Sequence, residues 1–373
     1  MSDDFDYPET GSPPAPARVA IAGAGLIGLF CAWSLARRGV DVVVFDRDMP
    51  GQGASSAAAG MLAPAYEAAG ESGAHPHLFE LCIAAANAWP EVASTLEAEA
   101  EMQIDYRPAA TLAVAGDISQ LHHLRRISSG CRARGLPFES LDARAAAAIE
   151  PSLQPGLAGA LLLSSDAQVD NRRTLAALLR ANARRGVELR IGMALEDVEI
   201  RPDGVSLPDG SGADLLVDAT GWRAQAITPV KGVAIAFAPM PGLPQRVVRF
   251  GKHYLVPKRD RVILGATVQP GESDTDVSGP AVVALVGAAE RVCPAVADAE
   301  IIERWAGVRP RSADLAPLIG WRGARRYVAG GHYRNGVLLA PLTGELVASH
   351  LTTGQRSPLA AAFDPLRPGV MPA

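Results

Sequence analysis

From Arg18 to Asp46 the chain reads RVAIAGAGLIGLFCAWSLARRGVDVVVFD. Arg18–Ala22 is a short apolar run, the pattern of a strand buried on both faces of a parallel sheet. Glycines follow, then Leu26–Arg38 with helical character, and Gly39 ends that helix. Asp41–Phe45 is a second buried strand. Strand, helix and strand in this order make a βαβ unit, so the fold class is α/β with a Rossmann-like domain. Between the first strand and the helix stands Gly23-Ala24-Gly25-Leu26-Ile27-Gly28, a GxGxxG. Gly23 permits the tight turn, Gly25 lets the backbone approach a pyrophosphate, and Gly28 lets helix and strand pack closely. The phosphates would sit on the helix N-terminus, where free N–H groups and the dipole favour negative charge. The motif alone is weak, because glycine turns are common. Its place between strand and helix makes it a dinucleotide site of FAD or NAD(P) type.

Outward from this unit, Asp46 ends the second strand, where a carboxylate accepts hydrogen bonds from an adenosine ribose. Much later Leu215–Ala219 is another buried strand, and it runs into Asp218-Ala219-Thr220-Gly221. A plain strand-end turn has the same composition. In FAD proteins, however, such a turn passes the cofactor. A single N-terminal βαβ site with glycine-rich loops near the C-terminal end therefore favours a tightly held flavin.

The chain has 373 residues, of which 48% are hydrophobic and 20% charged. That length suggests two domains, each large enough to fold without disulfide or metal staples. A net charge of −5 invites neither nucleic acid nor an anionic membrane. Cys31, Cys82, Cys131 and Cys293 are scattered and form no CxxC pair, which fits a reducing cytosol better than a disulfide framework or zinc site. His75 and His77, near prolines, and the distant His253 and His332 make no metal set. The first residues are acidic and rich in Pro, Gly and Ser, unlike a signal peptide, so 1–15 are expected to be a disordered tail. With no long uninterrupted apolar run, a cytoplasmic protein without a membrane partner is expected.

Residues 75–105, 117–135 and 280–297 read as helical. So does Asn171–Gly186, with Asp170 or Asn171 as its N-cap. Segments 187–191 and 196–200 look like short strands. The stretch 230–270 alternates in β fashion, with turn signals at Pro239–Pro244 and at Arg259-Asp260. A final helix runs from about Gly336 to Leu351.

Five further segments follow in the order of one family. They are Ser55–Leu62 (SSAAAGML), Pro229–Gly232 (PVKG), Tyr254–Pro257 (YLVP) with Gly265–Thr267 (GAT), Trp305–Pro310 (WAGVRP) and Gly331–Pro341 (GHYRNGVLLAP). With the glycine turn they make the chain resemble the D-amino-acid-oxidase-type flavoproteins, and within them the glycine oxidase group, over about residues 18–350. The resemblance implies a discontinuous FAD domain from about 16–90, 150–225 and 300–355. It also implies an α+β substrate domain, a mixed sheet over the flavin, from 91–149 and 226–299, with the active site between the two.

By that resemblance FAD is held noncovalently by Gly23, Gly25, Leu26, Ile27 and Gly28, and by Asp46 and Arg47. The loop of Ser55, Ser56, Ala59, Gly60 and Met61 contacts pyrophosphate and isoalloxazine. Leu195, Thr220 and Gly221 serve the adenosine side. Arg309, His332, Arg334, Asn335, Gly336, Val337 and Leu338 lie at the flavin, with backbone N–H groups at its pyrimidine edge. Cys293 is expected within a helix, away from any loop that could attach flavin. The residues assigned to catalysis are Tyr254, Arg309 and Arg334. A guanidinium offers a planar two-pronged fit to a carboxylate, so Arg309 takes the amino-acid carboxylate, with the Tyr254 hydroxyl as second donor. Taken alone, Arg309 reads as a salt-bridged structural arginine, Tyr254 as strand packing and Leu195 as a buried strand leucine. Val268 stands where the family pattern has a methionine lining the pocket, which leaves more room for a substrate side chain. Lys252-His253 replaces a family His-Cys pair.

The implied reaction is oxidation of glycine or another small amine or D-amino acid by hydride transfer to flavin N5. Oxygen then reoxidises the flavin to give hydrogen peroxide, and the imine hydrolyses to an α-keto acid and ammonia. From glycine, the imine would serve thiazole synthesis in the thiamine pathway. An alternative keeps the flavin but passes electrons to a quinone or another acceptor, as in D-amino-acid or N-methyl-amino-acid dehydrogenases. A non-catalytic FAD-binding module is a third reading, against which Tyr254, Arg309 and Arg334 stand. The oligomeric state, homo-oligomer included, is left open.

Overall fold

The computed structural model describes residues 15–67, 74–195 and 198–370. The expected disordered tail, 1–15, lies outside them apart from its last residue, as do 196 and 197 of an expected strand.

Strand Arg18–Ala22 lies between Asp41–Asp46 and Leu215–Asp218, parallel to both. The sheet continues through the parallel Arg326–Gly330 to an antiparallel edge, Leu318–Trp321, and on the other side to Glu188–Ile191. Side chains alternate across a strand, and the two faces of the first strand accordingly meet different partners. Val19 and Ile21 join a core with Phe30, Trp33 and Trp89, built with helices Leu26–Ala36, Leu78–Ala100, Asn171–Arg184 and Gly336–Thr353. Ala20 and Ala22 face Val205, Leu207 and Ala213 of a small three-stranded sheet, Glu199–Arg201, Gly204–Ser206 and Gly212–Ala213.

Two glycines let the helices close on this sheet. A Cβ on Gly28 would stand 1.9 Å from the Gly23 carbonyl oxygen, so the first helix can start only with hydrogen there. A Cβ on Gly344 would stand 2.6 Å from the Phe30 carbonyl oxygen, where helix Gly336–Thr353 crosses the first.

The second sheet runs in the order Gln269–Pro270, Thr228–Phe237, Val262–Gly265, His253–Pro257, Val247–Phe250, Thr111–Ala115, Gly159–Leu163, Phe138–Leu141. Ile301–Arg311 pairs antiparallel along the whole of Thr228–Phe237. The pair Val247–Phe250 and Thr111–Ala115 is parallel and its neighbours antiparallel, so the sheet is mixed. One face packs on helix Gly279–Glu290 around Phe237, Leu255, Leu264 and Leu285. The other face turns toward the first sheet.

Several elements depart from the sequence reading. Gly159–Leu163 and Ile301–Arg311, both assigned to the nucleotide-binding part, hydrogen-bond within the second sheet. The helix expected over 75–105 runs from Leu78 to Ala100, so the domain boundary expected at residue 90 falls inside it. Trp89, Ala93, Leu96 and Ala100 recur at helical spacing, which keeps them on one core. The helix expected over 280–297 stops at Glu290, and a 3-10 turn, Pro294–Asp298, follows. Cys293 therefore lies between two helical segments rather than inside one, because the residue before a proline is disfavoured in the α conformation. Asp170, not Asn171, is the N-cap, its carboxylate accepting from the N–H groups of Arg172 and Arg173.

Gly28→Ala should destabilise the apoprotein by overpacking, about 1–3 kcal/mol, read as a lower midpoint in thermal unfolding. A midpoint equal to that of the parent would mean that the first turn can shift to admit a methyl group.

Candidate active site

The first turn carries Gly23 in a left-handed conformation, φ +106°. The Ala24 N–H donates to Asp46 Oδ2 at 2.7 Å, which ties the turn to the end of the second strand. The next free donor of the helix, Leu26 N–H, donates to Ser55 Oγ at 2.9 Å. The small-residue loop 53–61 is thereby laid against the helix N-terminus.

That loop is held from several sides. The fully buried Asn171 donates through Nδ2 to the carbonyls of Ser55 at 2.7 Å and Ser56 at 3.2 Å. The Trp305 indole donates to the Ala57 carbonyl at 3.0 Å. A Cβ on Gly307 would meet the Ala57 Cβ at 2.3 Å, and one on Gly60 the Val169 carbonyl oxygen at 2.0 Å. Below Gly60, Lys258 donates to Val169 O at 2.7 Å and Gln168 Oε1 at 3.0 Å, and burial pulls its amine pKa down to about 7.

The second sheet contributes a matching surface. Tyr254 is in register with Arg249 on one side and Gly265 on the other; Gly265 pairs with Ala234, and Ala234 with Trp305. Two glycines leave space for polar side chains on this face. A Cβ on Gly232 would lie 2.4 Å from Arg309 Nη1, and one on Gly265 would lie 2.6 Å from the Tyr254 hydroxyl. The guanidinium and the phenol therefore rest on bare backbone. Arg309 Nη1 also donates to the Thr267 carbonyl at 3.2 Å.

The third wall follows strand Arg326–Gly330. Gly331 turns with φ +73°, and Tyr333–Asn335 forms a 3-10 turn that leads into Gly336–Thr353. His332 is fully enclosed and 3.0 Å from Thr343 Oγ1, and burial holds its ring neutral, with the pKa lowered to about 3.

One cleft between the sheets brings most of the singled-out residues together. Gly23, Gly25, Leu26, Ile27, Asp46, Arg47, Ser55, Ala59, Gly60 and Met61 line it, as do Leu195, Thr220 and Gly221. Tyr254, Val268, Arg309, His332, Arg334, Asn335, Gly336 and Val337 complete it. Three do not line it. Gly28 packs under the turn. Ser56 gives its carbonyl to Asn171 and Arg172. Leu338 is buried in the helical core, and its carbonyl accepts from the Trp89 indole at 2.9 Å.

The cleft also includes residues that the sequence reading passed over, among them Trp222, Arg223 and Arg249, and it includes Lys252, which that reading noted as a replacement in the family pattern. Trp222 and Arg223 directly follow the Asp218–Gly221 turn, which could have marked them. Arg249 could have been found from the hairpin around Gly251, which sets it opposite Tyr254.

The lining fits FAD. Glycine backbone faces the place for a pyrophosphate, a carboxylate ends the second strand, and a second helix N-terminus opens at the far end. None of the four buried free cysteines lines the cleft. Among the described residues no group of three or more His, Cys, Asp and Glu could hold a metal ion, and no helix is long and apolar enough to cross a membrane.

Comparison with known proteins agrees with this geometry. The DAO model, FAD dependent oxidoreductase, matches residues 18–350. Glycine oxidase of Geobacillus kaustophilus is 34% identical over 348 residues, 88% of this chain and 91% of the relative. The bifunctional protein ThiO/ThiG of Synechocystis is 33% identical over 94% of this chain, which spans 54% of that longer protein. The crystal structure of the G. kaustophilus glycine oxidase superposes with a TM-score of 0.85 at 32% identity, over 94% of this chain and 97% of that one. With the glycine turn, the Asp46 carboxylate and a family match over nearly the whole chain, the protein belongs to the DAO family of FAD-dependent oxidoreductases, and FAD is its cofactor.

Proposed function

We propose that the protein is an amino acid oxidase that deaminates glycine or another small amine or D-amino acid, releasing hydrogen peroxide. The observation that carries this reading is the pair Arg309 and Tyr254, seated over Gly232 and Gly265 on the sheet face that closes the cleft. The names of the relatives, glycine oxidase and ThiO/ThiG, support the amine substrate and a role in thiamine biosynthesis.

Arg309 grips the substrate carboxylate as a planar fork. Its bond to the Thr267 carbonyl fixes the plane of the fork, so the substrate arrives in one orientation. Tyr254 adds a hydroxyl donor from the same sheet, three strands away. Bound FAD supplies the two-electron acceptor and its reoxidation by oxygen. Arg334 and the N–H groups of Gly336 and Val337 stand at the start of a helix, where dipole and donors favour negative charge. Val268 lines the substrate end with a short side chain, which admits amines larger than glycine. No acid–base residue is required beyond loss of the amine's proton before reaction. The imine leaves and hydrolyses in water.

Arg309→Ala should raise the amino-acid KM by about 30-fold or more, the cost of an unmet charged hydrogen bond, while FAD stays bound. Unchanged steady-state kinetics would remove Arg309 from the carboxylate role. Asp46→Ala should weaken FAD about tenfold, measured by flavin fluorescence titration of the apoprotein; equal affinity would discount the ribose contact. With a small amine as substrate, oxygen consumption and peroxide should rise together. Turnover only with an added dye or quinone would favour a dehydrogenase.

A further inference from the structure

Lys231 is a buried cation that does not line the cleft. It is 5% exposed. Side chains alternate along its strand: Gly232 and Ala234 line the cleft, while Val233 and Ile235 pack in the core on helix Gly279–Glu290. Lys231 shares that second face, so it meets no substrate. A buried ammonium costs free energy unless it is paired. Its ion-pair partners among the described residues come from one exposed segment: Lys231 donates to Asp274 and stands 3.6 Å from Glu272 Oε2. The Gly271 N–H donates to the Pro229 carbonyl at 2.9 Å, so the segment from 271 to 274 is tied to the sheet at both ends.

From this segment a chain of hydrogen bonds runs to Arg309. Glu272 Oε2 accepts from Gln269 Nε2 at 2.9 Å, and Gln269 Oε1 accepts from the Thr267 hydroxyl at 2.8 Å. A carboxylate only accepts, which fixes the amide of Gln269 in that orientation. Gln269 is the register partner of Lys231, on the same face. Thr267 is clamped to Val233 in both directions. Its N–H donates to the Val233 carbonyl at 3.2 Å, and its Oγ1 accepts from the Val233 N–H at 2.9 Å. The Thr267 carbonyl accepts from Arg309 Nη1. Arg309 therefore reaches over the bare backbone of Gly232 to a carbonyl beyond the middle strand. Where that carbonyl stands decides which way the guanidinium fork faces, and its residue is held from the opposite face of the sheet.

We infer that Lys231 and Gln269 are positioning residues for the amino-acid carboxylate, acting through Thr267 on the orientation of Arg309. This inference rests on the carboxylate role of Arg309 proposed above. Removing the Lys231 amine leaves Glu272 and Asp274 without the cation that both face, and their mutual repulsion then works against the bound segment. Gln269 loses the carboxylate that orients its amide, and the Thr267 hydroxyl loses its acceptor. The Thr267 carbonyl is then free to shift, and the fork of Arg309 shifts with it. Binding that depends on a fixed orientation is sensitive to such a displacement.

The test uses the FAD-loaded enzyme, with acetate as a carboxylate probe titrated by the change in flavin absorbance. Arg309→Ala should weaken acetate and sets the full effect. Lys231→Met and Gln269→Leu should each weaken acetate and raise the amino-acid KM by about three- to tenfold, with kcat changing less. Lys231→Arg should keep part of the affinity, and FAD affinity should equal that of the parent throughout. When Arg309→Ala is already present, Lys231→Met should cause no further loss, because a residue that acts through Arg309 has nothing left to act on. Parent-like acetate affinity in either single variant, while Arg309→Ala weakens it, overturns this inference alone. So does a loss of FAD affinity as large as the loss of acetate affinity, or an undiminished further loss on top of Arg309→Ala, since general loosening of the sheet produces both. If Lys231→Met does not load flavin, Gln269→Leu decides by the same criteria. If Arg309→Ala leaves acetate affinity and KM unchanged, the carboxylate role fails, and this inference with it.

Discussion

Contact between Gly28 and the Gly23 carbonyl sets everything that follows. It lets the first helix begin directly over the end of the first strand, so the helix N-terminus points into the cleft instead of past it. The Asp46 and Ser55 bonds then reach that terminus from two directions. Without so close a start, the second strand and the small-residue loop would have no common point to meet.

The second sheet applies the same device to a different end. Gly232 and Gly265 remove side chains so that a guanidinium and a phenol can lie against the backbone. In both places a missing Cβ makes room for a polar group that would otherwise be pushed into solvent. Trp305 joins the two halves: it sits on the sheet that carries Arg309 and donates to the loop that lines the cofactor cleft. Arg172 reinforces the join, stacked near Trp305 and paired through both terminal nitrogens with Glu303.

Local chemistry was legible in the sequence and long-range pairing was not. The glycine turn, the buried valine strand and the capped helix from Asn171 are set by neighbours a few residues away. The position of Gly159–Leu163 depends on hydrogen bonds to Thr111–Ala115, about fifty residues earlier, and no periodicity encodes that. Motifs also mark segments rather than surfaces. Leu338 lies within the GHYRNGVLLAP stretch, yet the helical turn directs it into the core while Gly336 and Val337 border the cleft. Arg249 was missed for the converse reason: it belongs to no motif and gains meaning only opposite Tyr254.

The chain passes repeatedly between the two sheets, and the cleft draws on residues from Ala22 to Val337. This imposes a timetable on biosynthesis. While the ribosome is still making the second sheet, the glycine turn is present but its far wall is not, because Arg309 and the His332–Val337 turn have yet to emerge. Cofactor capture is therefore a late event: a nascent chain stalled before that turn lacks one wall of the cleft and also helix Gly336–Thr353, whose Gly344 packs on Phe30.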